Sequence, residues 1–373
     1  MKVSYVSSCF DSSGYAMAAR NHIAALDTIG VDVVVKPISF ERSKTDLGET
    51  GRLCKKLVGT DDTKIQIIHT TPANMPKLIN SNKYNIGYTT WETDKLPSDW
   101  VNNLNQLDEI WVPSTYNKKT FKASGVSTGI FCFPHPFKEE HTTQLDAKII
   151  DNITSNNFIF YSIFQWLERK NPVGLIKAYL TEFTSKDNVV LLLKTFRVTP
   201  GSSQDANFIK KQIESIRNSL FLSDPPKILL ISSLLTASEI DALHNQGDCL
   251  VSLNRCEGFG IPLIEAMQFE NPVIATNYGG ASDFLSAAGA FTVDYMLTPV
   301  SGMPWPTYTG DMTWADPDIM HARKLMRYVF TNQQEAKECG VASSKWIKNN
   351  LSFDIIGNKM KKRLEKIQSN LNE

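Results

Sequence analysis

Ser252 to Gly280 reads SLNRCEGFGIPLIEAMQFENPVIATNYGG, and this stretch decides the fold. Cys249–Leu253 is a short apolar run of the kind a buried strand shows. A loop holding Glu257, Gly258, Phe259 and Gly260 follows it. Ile261 and Pro262 then open a helix over Pro262–Phe269, with the proline in the first turn, where its missing N–H costs nothing. Pro272–Thr276 is the next strand, and Asn277-Tyr278-Gly279-Gly280 follows that. Strand, glycine loop, helix and strand make a unit of a parallel α/β sheet. The glycine loop offers N–H groups and the positive end of a helix dipole, which suit a phosphate or pyrophosphate. Gly279 and Gly280 offer a second patch of backbone N–H groups. Glu257 and Glu265 flank the loop. Carboxylates repel phosphate but accept from hydroxyls. A pyrophosphate between two polyhydroxyl groups describes a nucleotide-sugar.

The same alternation extends in both directions. Strands are expected at Phe158–Ile163, Val189–Lys194 and Lys227–Ser232, with helices at Asn171–Thr184, Ala206–Leu220 and Ser238–Gln246. Before them, strands are expected at Lys2–Ser7, Val31–Lys36, Ile65–His69, Ile86–Thr90, Glu109–Val112 and Gly129–Phe133, with helices at Tyr15–Thr28 and Ser114–Ser124. Three helical stretches, Pro317–Phe330, Gln333–Asn350 and Phe353–Ser369, close the chain. The polar segment Phe137–Asn157 breaks the pattern and reads as a linker. The fold class is therefore α/β, with two Rossmann-like doubly wound domains over residues 1–150 and 151–352 facing across a cleft.

The length of 373 residues fits two domains. Lys plus Arg and Asp plus Glu both total 39, so no cationic surplus exists for a global grip on nucleic acid. The six cysteines form no zinc knuckle or redox pair, and read as the reduced thiols of a cytoplasmic chain. No signal peptide and no apolar run of membrane-spanning length is expected.

The segment EGFGIPLIEAM from Glu257 to Met267, with the following NPVIATNYGG, resembles the donor site of retaining glycosyltransferases of family 4, which have the GT-B fold. The resemblance implies that Glu257 binds sugar hydroxyls and Glu265 the ribose. It implies a UDP- or GDP-sugar as substrate donor, no metal and no separate cofactor. The acceptor it implies is a glycan or a lipid-linked glycan, as in cell-surface polysaccharide synthesis. In FQWLERKNP, from Phe164 to Pro172, Arg169 and Lys170 take the family's cationic roles at the leaving diphosphate. Gly14, after Ser12 and Ser13, is placed near the donor phosphate or the acceptor. His69 is the nearest match to the family's first-domain histidine, and His135 is a minor candidate. Glu92 and Trp91 beside it are acceptor-side candidates, with a capping or surface role as the alternative for Glu92. The last helix, within 353–373, is implied to cross back onto the first domain.

Lys118, Lys119 and Lys122 with Phe121 read either as a solvated helix face or as weak peripheral contact with an anionic membrane. Tyr308–Asp318 resembles a segment from one branch of the family; its chemistry is not legible, and Trp314 reads as packing or rim. Two rival functions share the donor site: a non-catalytic nucleotide-sugar-binding protein and a nucleotide-sugar epimerase.

Overall fold

The computed structural model describes residues 1–38, 46–137 and 157–373. Most of the expected linker lies outside the described residues. The chain divides into two compact units, Met1–His141 with Lys348–Glu373, and Thr142–Ile347.

The first unit is built on a six-stranded parallel sheet. Its strands are β1 (Lys2–Ser7), β2 (Asp32–Pro37), β3 (Ile65–His69), β4 (Tyr84–Tyr88), β5 (Glu109–Val112) and β6 (Ile130–Cys132), in the order β2-β1-β3-β4-β5-β6. The connecting helices are α1 (Gly14–Thr28), α2 (Gly48–Lys56), α3 (Ser98–Leu104) and α4 (Thr115–Ala123). The strand order reverses between β1 and β3, so the loops after these strands part there and leave room for a ligand. The terminal helix α11 (Phe353–Asn372) packs on α1. Their approach is close at Gly357, where a Cβ would stand 2.5 Å from the Ala25 carbonyl oxygen. Arg363 of α11 grips the buried Glu109 carboxylate of β5 with two nitrogens, a fork-to-carboxylate pairing that fixes the helix in rotation.

In the second unit the strands are β7 (Phe158–Gln165), β8 (Val189–Phe196), β9 (Lys227–Ile231), β10 (Cys249–Ser252), β11 (Val273–Thr276) and β12 (Phe291–Val293). They pair in parallel in the order β12-β11-β10-β7-β8-β9, the dinucleotide-fold order, with its switch point between β7 and β10. Helices α5 (Pro172–Glu182) and α6 (Ser203–Ser219) cover one face, and their apolar cluster includes Phe160, Leu191, Leu193, Ile176 and Ile213. Helices α7 (Ala237–Gln246), α8 (Ile261–Gln268) and α9 (Ile319–Thr331) and most of α10 (Gln333–Leu351) also belong to this unit.

An antiparallel hairpin, β13 (Tyr295–Pro299) with β14 (Thr313–Pro317), stands outside this scheme. Pro317 was expected to open a helix; it ends β14 instead. The helix begins at Ile319 because Asp318 caps it, its carboxylate accepting from the N–H groups of Met320 and His321. Trp314 on β14 is buried, so it packs rather than rims a site.

Candidate functional site

The loops after β7 and β10 meet at the switch point of the second unit, and both carry charge. After β7, Glu168–Lys170 forms a single 3-10 turn. Asn171 sits there with φ of 50° and caps α5, its side chain accepting from Gly174 N at 3.1 Å. That cap turns Arg169 and Lys170 toward the β10 loop. Lys170 Nζ donates to Glu257 Oε1, and Arg169 Nη1 lies 3.9 Å from Glu257 Oε2. Asn254 also donates to Glu257 Oε1. Arg169 and Lys170 are thus a largely buried pair rather than a solvated one, with side chains 15% and 11% exposed. Burial pushes the Glu257 carboxyl up, but the charges of Lys170 and Arg169 outweigh this and hold it below the usual range. Glu257 is a carboxylate here.

The glycines shape this loop in different ways. Gly260 has φ of 96° at the start of α8, a conformation that favours glycine. Gly280 has no room for a side chain, because a Cβ would stand 1.9 Å from the Gly258 carbonyl oxygen. Its N–H was expected to await an anion with that of Gly279. It is instead donated to the Glu257 carbonyl oxygen at 2.8 Å, so it struts the β10 loop. Phe259 is buried against Phe284, which leaves its backbone, not its ring, to face a ligand.

Glu265 projects from α8, partly exposed, with Oε2 3.8 Å from His244 Nε2. The sequence placed His244 only inside a helix. In the fold it is buried, and its Nδ1 lies 2.9 Å from the Tyr161 hydroxyl. Asn271 donates to that hydroxyl, which leaves the Tyr161 proton for Nδ1 and puts the imidazole N–H on Nε2, facing Glu265. At 3.8 Å this is proximity and not a hydrogen bond, and Nε2 has no hydrogen-bond partner among the described residues. No sequence motif marks this cluster, since His244, Tyr161 and Asn271 come together only through the sheet.

Arg255 was also unforeseen. Its guanidinium donates to the Glu168 carbonyl and carboxylate at 2.7 and 2.8 Å, and to Asp316 Oδ1 at 3.0 Å. Its backbone accepts from Ala315 and donates to Arg169 O. One residue therefore ties the β7 loop, the β10 loop and β14.

In the first unit His69 ends β3, fully buried, with Nδ1 2.9 Å from the Tyr5 hydroxyl. His22 of α1 shares that hydroxyl, and His135 bonds the Tyr88 hydroxyl. The sequence candidates His69 and His135 thus meet, with ring centroids 6.3 Å apart, in one cluster with His22. Burial depresses all three imidazoles, that of His22 to about 3. Among the described residues no group of His, Cys, Asp and Glu is arranged to hold a metal. Gly14 begins α1, capped by Ser13, and faces open space.

Trp91 differs from its acceptor-side assignment. It is buried, and its indole N–H is donated to Thr93 Oγ1 and Lys95 O, so it plugs the core beside Trp100. Glu92 next to it is partly exposed. Lys118, Lys119 and Lys122 are exposed, but Phe121 is fully buried and gives a membrane no apolar foothold. Among the described residues no helix is long and apolar enough to cross a membrane.

The family model described as "Glycosyl transferases group 1" matches residues 146–294. The alpha-1,3/1,6-mannosyltransferase ALG2 of Debaryomyces hansenii is 25% identical over 272 residues, 65% of this chain and 53% of that protein. The chain therefore spans about half the length of this curated relative. Among solved structures, Anabaena HepE in complex with UDP and glucose matches with a TM-score of 0.70 at 14% identity, over 98% of this chain and 100% of that one. Sucrose-phosphate synthase from Thermosynechococcus elongatus matches with a TM-score of 0.71 at 12% identity, over 99% of each chain. At such identities the likeness shows the fold, which is the GT-B fold of these proteins. The segment matched by that family model carries Arg169, Lys170, Glu257 and Glu265.

Proposed function

We propose that this protein is a retaining glycosyltransferase that moves a sugar from a nucleotide-diphosphate sugar to a hydroxyl of a glycan or glycolipid, in polysaccharide or glycoconjugate synthesis. The observation that carries this reading is the Arg169–Lys170–Glu257 cluster at the switch point of a group 1 domain. Two cations face one carboxylate, so the cluster keeps a positive surplus for the diphosphate. As the glycosidic bond breaks, charge grows on the leaving diphosphate, and preorganised cations lower that barrier most. Glu265, partly exposed on α8, accepts from the ribose hydroxyls. The acceptor hydroxyl attacks from the face the diphosphate leaves, which passes its proton to a phosphate oxygen.

A binding screen against UDP-, GDP- and ADP-sugars identifies the donor. Nucleotide release with a panel of glycan acceptors then tests transfer, and proton NMR of the product reads the anomeric configuration. A product with the donor's anomeric configuration is expected. Binding without release across the panel would indicate a binding module, and free sugar-nucleotide epimers would indicate an epimerase.

A further inference from the structure

A buried cation of the second unit has no role in the site described above. Lys194 lies near the end of β8 and is 5% exposed. Leu191 and Leu193 pack into the cluster under α5 and α6, so strand alternation turns Lys194 to the opposite face. Its neighbours across the sheet are Ile163 and Ile231. Among the described residues its ammonium has no ion pair and no hydrogen bond. The Phe196 ring, with its centroid 5.6 Å away, is its one electrostatic neighbour among the described residues. Burial, with no compensating carboxylate, lowers its pKa to about 8. It therefore remains mostly protonated at neutral pH. An uncompensated buried charge is costly, and proteins tolerate such strain where function uses it.

Its position suggests the use. Lys194 is at the carboxyl end of the strand beside β7, and ligands of such sheets lie beyond the carboxyl ends near the switch point. The two strand ends are tied, since Trp166 N donates to Phe196 O at 2.7 Å and Gln165 Nε2 to Arg197 O at 2.9 Å. Past the end of β11, at the carboxyl edge of the same sheet, Asn277 Oδ1 is another buried atom without a hydrogen-bond partner among the described residues. Buried polar groups left without a partner at a strand's carboxyl end are what a polar ligand can complete.

We infer that Lys194 is a third cation of the donor site, whose ammonium binds an anionic oxygen of the donor's nucleoside diphosphate. This rests on the donor chemistry proposed above.

The test compares wild type, Lys194→Met and Lys194→Arg by calorimetry with UDP, GDP and ADP and with the corresponding nucleosides, alongside thermal melts. Lys194→Met keeps the bulk and removes the charge. It is expected to melt at or above the wild-type temperature, yet to bind the diphosphate at least tenfold more weakly. Nucleoside affinity should not change, and Lys194→Arg should recover part of the loss. Diphosphate affinity that survives Lys194→Met overturns the inference alone. An equal loss for the nucleoside also overturns it, because the contact would then be to the base. A lower melting temperature with unchanged affinity makes Lys194 structural and overturns it too. If wild type binds none of the three diphosphates, the donor reading falls and the inference falls with it.

Discussion

The ammonium of Lys170 donates to the carboxylate of Glu257, joining the loop after β7 to the loop after β10 across 87 positions of sequence. The bond positions a cation that a flexible side chain would otherwise leave in solvent. It also keeps Glu257 ionised in a largely buried place.

Lys170→Ala should separate these effects. We expect turnover to fall by about 10²–10³-fold, the usual cost of removing one preorganised group at a developing charge. Melting temperature should drop as well, because Glu257 loses its nearest cation. Nucleotide-release kinetics and a thermal melt check both. Near-normal turnover would show that the charge at the leaving group comes from elsewhere.

Glu265→Ala should weaken nucleotide binding by roughly ten- to hundredfold, in line with about 1.5–3 kcal/mol for hydrogen bonds to a charged group. The sharper measurement is discrimination between UDP or GDP and its deoxyribose analogue. Wild type should prefer the ribonucleotide, and the variant should lose that preference. An undiminished preference in calorimetry would remove the ribose from Glu265.

Arg255→Lys should behave almost as badly as Arg255→Ala. The guanidinium bonds Glu168 and Asp316 in separate directions, and a single ammonium cannot reproduce that fork. Both variants should loosen the β13–β14 hairpin, read as faster limited proteolysis within residues 300–312. Wild-type cleavage rates in the lysine variant would show that charge alone suffices.

The histidine cluster predicts a one-sided pH dependence of stability. His22, His69 and His135 are held neutral by burial, and His69 and His135 are lowered further by their neighbours. Unfolding frees each to take a proton near its ordinary pKa of about 6.5. Their contribution is therefore intact above that value and is lost as pH falls toward the depressed folded values, that of His22 being about 3. Urea midpoints should fall between pH 7 and pH 5, and His22→Phe should flatten that slope. A midpoint independent of pH over this range would contradict the neutral cluster.

Much of the second unit was legible because its signals are local. Short apolar runs, a proline in a helix's first turn and glycines beside a strand end each report the conformation of their own neighbourhood. Even so, Gly280 was legible as a required glycine but not as a strut, because its partner is the Glu257 carbonyl in another loop. The β13–β14 hairpin was illegible: β13 is mostly exposed, with Met296 and Leu297 open to solvent, so no inside-outside alternation marks it. Trp91 misled for the converse reason, since an aromatic next to a glutamate reads the same whether it faces a ligand or fills a core.

The sequence by itself determined the α/β class, the strand and helix alternation, and the placing of Glu257, Glu265, Arg169 and Lys170 on loops or helix starts after strands. Periodicity and turn chemistry are short-range, and those features need nothing more. Only the tertiary structure decided which of these groups meet. Strand order placed β7 beside β10, and so set Lys170 against Glu257. It likewise gathered His22, His69 and His135, and left Lys194 buried with no ion pair or hydrogen bond among the described residues. A sequence pattern reports that a side chain is buried; the topology chooses its neighbours, and charge and proton affinity follow from them.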